Sequence, residues 1–173
     1  MDREEYLEKI SLINPEDLIY LDETGVDDNI TVQYGWSKIG EKSYAEQSGS
    51  RKERLSLIAA YDYTTKNLIA PFEFSGFTNT DLFNGWFEQV LCPVLEPGKF
   101  IILDNASFHK SYEIEELARN KGCEIIFLPP YSPDLNPIEH VWANFKKNLR
   151  KCIKKARDFK SAITNAIQQT FSG

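Results

Sequence analysis

The first half of the chain alternates short apolar runs with turn residues. The runs at 18–21, 55–63 and 68–74 have the length and the β-branched or aromatic content of strands, and a further strand is predicted around 30–36. Glycine, asparagine and aspartate separate these runs, and such residues favour turns. The pattern therefore predicts an antiparallel meander.

The second half of the chain alternates between helical and strand patterns. Positions 81–91 carry apolar residues at helical spacing, and the run at 100–103 is typical of a buried strand. A helix is predicted at 112–121, where Gly122 ends it, and a strand follows at 124–128. A strand, a helix and a strand in this order predict a parallel pair joined by a right-handed crossover.

Three further helices are predicted. A short linker helix covers 1–13, a long helix begins at Pro137, and a last helix covers 158–171. Strands first and alternating elements later predict an α/β fold, with a mixed sheet and helices on its faces. The long helix is expected to bury one apolar face, which consists of Ile138, Trp142, Phe145 and Leu149.

Length and composition fit one folded domain. The 173 residues predict a single domain over 1–173. A hydrophobic content of 42% and an aromatic content of 13% exclude a disordered chain. No apolar run is long enough to span a membrane, and the N-terminus lacks the pattern of a secretory signal. The expected compartment is therefore the cytoplasm.

The net charge and its distribution point in different directions. A formal charge of −6 disfavours a nucleic-acid partner. Between positions 146 and 160, however, eight residues are basic and a single residue, Asp158, is acidic. Such a stripe predicts binding of an anion at one place, and a solvated helix face is the other interpretation. The basic residues are Lys146, Lys147, Arg150, Lys151, Lys154, Lys155, Arg157 and Lys160.

Acidic residues follow two of the predicted buried strands. Asp22 comes directly after 18–21, and Asp104 comes directly after 100–103. Carboxylates at such strand ends are candidates for adjacent placement, and an adjacent ionised pair favours a bound cation. Three cysteines without a CxxC pair and two histidines disfavour zinc, so the predicted cation is Mg²⁺ or Mn²⁺. The other interpretation is that each aspartate starts a turn.

Glu139 is the candidate third acid. The alternative is a structural role at the start of a helix, in which Asn136 caps the helix, Pro137 takes the first position and Glu139 completes a capping box. Lys146 and Arg150 follow seven and eleven residues later. They would extend a basic track away from the acids, where it can hold a phosphate backbone.

Three motifs together resemble a known family. They are LDETG at 21–25, ILDNASFH at 102–109 and LPPYSPDLNPIEHVW at 128–142. With 34 residues between Asp104 and Glu139, these motifs resemble the catalytic core of mariner-type bacterial insertion-sequence transposases, which belong to the DDE superfamily. The resemblance covers positions 18–150.

This resemblance implies a ribonuclease-H-like fold, shared with retroviral integrases, in which a mixed five-stranded sheet carries helices on both faces. It implies that Asp22, Asp104 and Glu139 form the catalytic triad and bind two Mg²⁺ or Mn²⁺ ions. The implied activity is cleavage of DNA at transposon ends and strand transfer of the freed 3′ hydroxyl into target DNA. His109 and the basic stripe are then candidate DNA contacts, and Asp134 is an alternative third ligand.

The resemblance also predicts partners. A homodimer is expected because two transposon ends must be paired, and the DNA is expected to be that of a bacterial nucleoid. Related transposases carry an upstream helix-turn-helix domain, and the segment before 18 is too short for one. The chain is therefore expected to be a fragment, or to work with a separately encoded recognition protein.

Two other functions stay open, a non-catalytic DNA-binding or assembly relic and a nuclease of the same fold without strand transfer. Trp36 and Trp142 are expected in the core rather than in base stacking.

Overall fold

The computed structural model describes residues 2–27 and 54–171. The strand predicted at 30–36 and Trp36 lie outside the described residues. The strands in the described ranges are β1 (Leu18–Asp27), β2 (Arg54–Asp62), β3 (Leu68–Ser75), β4 (Phe100–Leu103) and β5 (Glu124–Phe127). The helices there are α1 (Arg3–Ser11), α2 (Thr80–Trp86), α3 (Tyr112–Asn120), α4 (Ile138–Ile153) and α5 (Phe159–Phe171). None of these helices has both the length and the apolar character needed to cross a membrane.

The described strands form one mixed five-stranded sheet in the order β3-β2-β1-β4-β5. The pairs β1–β2 and β2–β3 are antiparallel, whereas β1–β4 and β4–β5 are parallel. The parallel pair β4–β5 is joined through α3, because parallel neighbours need a crossover rather than a tight hairpin. The predicted α/β class and mixed sheet are confirmed.

Apolar side chains cover both faces of the sheet. One core contains Tyr20 and Ile102 together with side chains from α1, α4 and α5. The other core contains Leu21 and Leu103 together with side chains from α2 and α3. Successive residues of each strand point to opposite faces because side chains alternate along a strand. Helices therefore lie on both faces of the sheet, as expected.

Helix α4 has the apolar face that the sequence predicts. Ile138, Trp142, Phe145 and Leu149 are buried, and Cys152 extends the same stripe by one turn. Spacings of three and four residues place these side chains on one side of the helix. Trp142 is 2% exposed, which confirms its predicted place in the core.

The helix predicted at 81–91 has a different shape. Helix α2 ends at Trp86, and the chain continues through a π turn at Phe87–Leu91 and a 3-10 turn at Cys92–Val94. Pro93 has no backbone N–H to donate, so regular helical bonding cannot run through this position. The wider winding of the π turn leaves the side chains at both of its ends buried.

Candidate active site

The parallel pairing of β1 with β4 brings two carboxylates to the same level of the sheet. Tyr20 lies opposite Ile102 in this register, so Asp22 and Asp104 are level with each other two residues further on. Neighbouring strands are about 4.8 Å apart. Asp22 and Asp104 are therefore neighbours where β4 ends.

The sequence predicts that strand β1 ends at position 21, but the strand is longer than this. It continues to Asp27 in antiparallel pairing with β2, and Asp22 lies opposite Ala59. The hydrogen bonds to β2 keep β1 extended beyond the end of β4, so the interpretation of Asp22 as the start of a turn is wrong. Asp104 does start a turn, since its Oδ1 accepts a hydrogen bond of 2.8 Å from the backbone N–H of Ala106.

The start of α4 presents Glu139 without a capping box. Pro137 precedes the helix, and no side-chain hydrogen bond caps it. Asn136, which was predicted as the cap, is buried, and its Oδ1 has no hydrogen-bond partner among the described residues. The capping interpretation is therefore wrong, because proline rather than Asn136 occupies the cap position. The side chain of Glu139 is exposed and free to serve another purpose.

Asp22, Asp104 and Glu139 line one cavity of about 260 Å³. Its other wall is the proline-rich loop at 128–136, which connects β5 to α4. The side-chain amide of Asn105 donates a hydrogen bond to the carbonyl of Leu128. This bond ties the loop after β4 to the end of β5, so both walls of the cavity are joined.

Tyr131 lies at this cavity and was missed by the sequence analysis. Its side chain is fully exposed, and its backbone has φ +55°. Non-glycine residues adopt positive φ only at a cost, and Pro130 and Pro133 restrict the backbone around it. The only signal in the sequence was an aromatic residue within a run of prolines.

Burial and negative charge act together on Asp22. Burial, and after it the nearby charges of Glu139, Glu23 and Asp104, together raise the pKa of its carboxyl to about 8. A hydrogen bond from the backbone of Glu23 opposes this rise. The result is a concentration of carboxylates that a cation would stabilise.

His109 is buried between two of these acids. Its Nδ1 lies 2.6 Å from Oδ1 of Asp104, and its Nε2 lies 2.9 Å from Oε1 of Glu23. Burial lowers the pKa of His109, but the two carboxylates outweigh burial and raise it to about 9. The same hydrogen bond holds the pKa of Asp104 below its usual range. Because the ring is 0% exposed, the prediction that His109 contacts DNA does not fit its place in the structure.

Asp134, the alternative third ligand, is engaged elsewhere. Arg3 of α1 forms a salt bridge with it, and one of the hydrogen bonds, from Nη1 of Arg3 to Oδ1 of Asp134, is 3.1 Å long. This guanidinium holds the pKa of Asp134 below its usual range. Asp134 does not line the cavity that contains Glu139.

The basic stripe begins on α4 beyond Glu139. Lys147, Arg150 and Lys151 are exposed, and Lys146 is half-buried. At about 100° of rotation per residue, Lys146 and Arg150 project within about 20° of the direction of Glu139. Lys146, Arg150 and the cavity therefore share one side of α4, roughly a quarter turn from its buried face.

The donor set at the cavity fits a hard divalent cation. Carboxylate oxygens dominate it, and the unpartnered Oδ1 of Asn136 adds an amide oxygen; these are the oxygen ligands that Mg²⁺ and Mn²⁺ accept. In residues 2–27 and 54–171, no three His, Cys, Asp or Glu side chains are grouped closely enough to hold a metal ion. The three acids surround the cavity without converging on one point.

The mixed five-stranded sheet with helices on both faces has a ribonuclease-H-like fold. The family model described as DDE superfamily endonuclease matches residues 17–162. This match covers most of the chain and all three acids. The chain belongs to the DDE superfamily of endonucleases, a family of enzymes.

Several known proteins resemble this chain. The Tcb2 transposase of Caenorhabditis briggsae is 40% identical over 47 residues, which cover 27% of this chain and 17% of that protein. The Mos1 strand transfer complex aligns with a TM-score of 0.63 at 15% identity over 96% of this chain, and a Mos1 mariner paired end complex with Mn aligns with a TM-score of 0.62 at 15% identity over 98%. The catalytic core domain of BIV integrase aligns with a TM-score of 0.53 at 13% identity, covering 89% of this chain and 82% of that domain. The chain spans 56% and 57% of the two Mos1 chains.

The raised pKa of Asp22 predicts a pH-dependent loss of stability in the metal-free protein. The folded protein keeps a proton on Asp22 up to pH of about 8, whereas the unfolded chain loses it near pH 4. The free energy of unfolding therefore falls as pH rises between these values. We expect Asp22→Asn to flatten this fall and to stabilise the protein at pH 8 by at least about 1 kcal/mol, since one pKa unit corresponds to about 1.4 kcal/mol.

The measurement is urea unfolding with a chelator present, at pH 5 and pH 8. Asp134→Asn is the matched control, because its carboxyl is exposed and has a lowered pKa, and this variant should gain no stability at pH 8. An identical pH dependence in Asp22→Asn and the wild type would contradict the electrostatic account of the cavity.

Proposed function

We propose that this chain is the catalytic domain of a DNA transposase of the mariner-type bacterial insertion-sequence group. The proposed reaction is cleavage of phosphodiester bonds at transposon ends, followed by strand transfer of the freed 3′ hydroxyl into target DNA. The observation that carries the proposal is the placement of Asp22, Asp104 and Glu139 around one cavity of a DDE-superfamily fold. The similarity to the Tcb2 transposase and to the Mos1 strand transfer complex supports the same function.

In this proposal Asp22, Asp104 and Glu139 hold two divalent ions, Mg²⁺ or Mn²⁺. The acidic residues around Asp22 and the unpartnered Oδ1 of Asn136 favour such ions. When bound, two ions would activate the attacking water and stabilise the leaving 3′ oxygen. The three carboxylates come from β1, from the end of β4 and from the start of α4, so rigid elements position them.

The basic stripe supplies the proposed DNA track. Lys146 and Arg150 extend from Glu139 along one side of α4, and Lys147 and Lys151 lie beside them. Lysine and arginine bind the phosphate backbone without reading sequence. The track therefore guides a strand toward the cavity, although the whole chain carries a net charge of −6.

We further propose that the active assembly is larger than this chain. A homodimer pairs the two transposon ends, and a helix-turn-helix domain, upstream or separately encoded, recognises the terminal repeats. Two of the Mos1 structures with a similar fold are a strand transfer complex and a paired end complex. The proposed place of action is the nucleoid in the bacterial cytoplasm.

Asp104→Asn is expected to abolish DNA cleavage while leaving the fold intact. The substitution removes the charge of a ligand with little change in shape, and we expect a loss of at least about a hundredfold in the rate of nicking. The assay is Mn²⁺-dependent cleavage of a radiolabelled transposon-end duplex, with thermal unfolding to verify folding. Asp81→Asn, the same substitution at an exposed site in α2, should cleave like the wild type.

A pre-cleaved end with a free 3′ hydroxyl separates transposition from simple hydrolysis. Joined products with target DNA support the transposase function. Shortened strands alone would identify a nuclease without strand transfer. Full activity in folded Asp104→Asn would place the active site elsewhere, and an inactive wild type that still binds DNA would favour the assembly relic.

Neutralising Lys146 and Arg150 is expected to weaken DNA binding and its dependence on salt. Each lost phosphate contact reduces the slope of log K against log salt by about one, so the double variant with glutamine at both positions should lower the slope by about two. Fluorescence anisotropy of a labelled duplex at several salt concentrations measures this slope. The matched control replaces Arg119 and Lys121, at the end of α3 on the opposite face of the sheet, by glutamine, and should keep the wild-type slope. Equal slopes in all three proteins would assign the stripe to ordinary surface.

A further inference from the structure

The loop after β4 holds the carboxylate of Asp104 by one of its two oxygens. Oδ1 accepts hydrogen bonds from the backbone N–H of Ala106 at 2.8 Å and from Nδ1 of His109 at 2.6 Å. None of the described residues hydrogen-bonds to Oδ2. Since Asp104 lines the acidic cavity, this arrangement leaves its second oxygen available there.

His109 is itself fixed from several directions. Its Nε2 binds Oε1 of Glu23 at 2.9 Å, and Glu23 belongs to β1. Its ring lies 4.5 Å from the ring of Phe83 in α2, measured between centroids. The side chain of His109 is 0% exposed, whereas that of Asp104 is 52% exposed. The buried ring of His109, bonded at both nitrogens, thus holds the solvent-exposed carboxylate of Asp104.

Side-chain alternation along β1 explains why this arrangement is possible. Asp22 points to the face of the sheet on which α4 packs, as Tyr20 does, and Glu23 points to the other face. Glu23 reaches His109 on the face that contains α2. Two consecutive acids of β1 therefore have different partners. Asp22 lines the cavity, whereas Glu23 binds His109.

We propose that His109 is a positioning residue, whose Nδ1 clamps Oδ1 of Asp104 so that Oδ2 faces the cavity and the ion proposed to bind there. Partners behind a metal ligand restrict its orientation, and their loss typically lowers metal affinity by about tenfold to a hundredfold. The inference rests on the proposed function, because it assigns Asp104 as a ligand. It replaces the predicted DNA contact of His109 with a supporting role.

Substitution of His109 by asparagine or by glutamine separates the two hydrogen bonds of its ring. The amide nitrogen of Asn is as many bonds from Cβ as Nδ1 of His, and that of Gln is as many bonds away as Nε2. His109→Asn therefore keeps the bond to Asp104, and His109→Gln keeps only the bond to Glu23. The matched control is His140→Gln, at the other histidine of the chain, which is exposed on α4.

The experiment measures Mn²⁺ binding alone, by electron paramagnetic resonance of the free ion, with circular dichroism to verify folding. We expect His109→Gln to weaken Mn²⁺ binding at least about tenfold, and His109→Asn and His140→Gln to stay within about threefold of the wild type. Wild-type affinity in folded His109→Gln would overturn the proposal. Equal weakening in His109→Asn and His109→Gln would also overturn it, since affinity would then depend on packing of the ring.

The wild-type protein provides a second measurement if His109→Gln does not fold. In ¹⁵N spectra at constant pH, saturation with Mg²⁺ should shift the Nδ1 resonance of His109, because its partner Asp104 then shares its charge with the ion. An unchanged resonance at saturation would overturn the clamp. A wild type that binds neither Mn²⁺ nor Mg²⁺ would overturn the proposed metal site together with the clamp, whereas binding without the expected variant pattern would overturn the clamp alone.

Discussion

The parallel pairing of β1 with β4 is the interaction on which the acidic cavity depends. Backbone hydrogen bonds set Asp22 level with Asp104, and the side chains themselves oppose this closeness because like charges repel. Burial is the main cause of the raised pKa of Asp22, followed by the charges of Glu139, Glu23 and Asp104 in that order. A cation at the cavity would relieve the repulsion, so the strand pairing favours the proposed binding of an ion.

Two helical layers keep the other parts of the site in place around this pair. The buried side chains of Ile138 and Trp142 dock the first turns of α4 against one face of the sheet, which brings Glu139 to the cavity. On the other face, α2 supplies Phe83 to the ring of His109. Protein cores are close-packed, so a substitution in either core is expected to shift the elements that carry these side chains.

Local patterns in the sequence were sufficient for most of the fold and insufficient for the details of the site. The apolar face of α4 was predicted because helical periodicity is a local property. The extension of β1 beyond position 21 was not, because its bonds to β2 come from residues 54–62. Asp22 and Asp104 were predicted as site residues from their position after apolar runs, and the prediction of Glu139 needed the family resemblance. His109 is bonded to Glu23, 86 residues earlier in the chain, so no local pattern reports this contact.

The most direct test of the central claim is to locate Mn²⁺ by anomalous scattering in crystals soaked with the ion. The account predicts a peak within about 2.0 to 2.4 Å of carboxylate oxygens of both Asp22 and Asp104, with Glu139 facing the same ion or a second one. Crystals that show no ion at the cavity, with the side chains of Asp22 and Asp104 turned apart at saturating Mn²⁺, would contradict the assignment of this site as the catalytic centre.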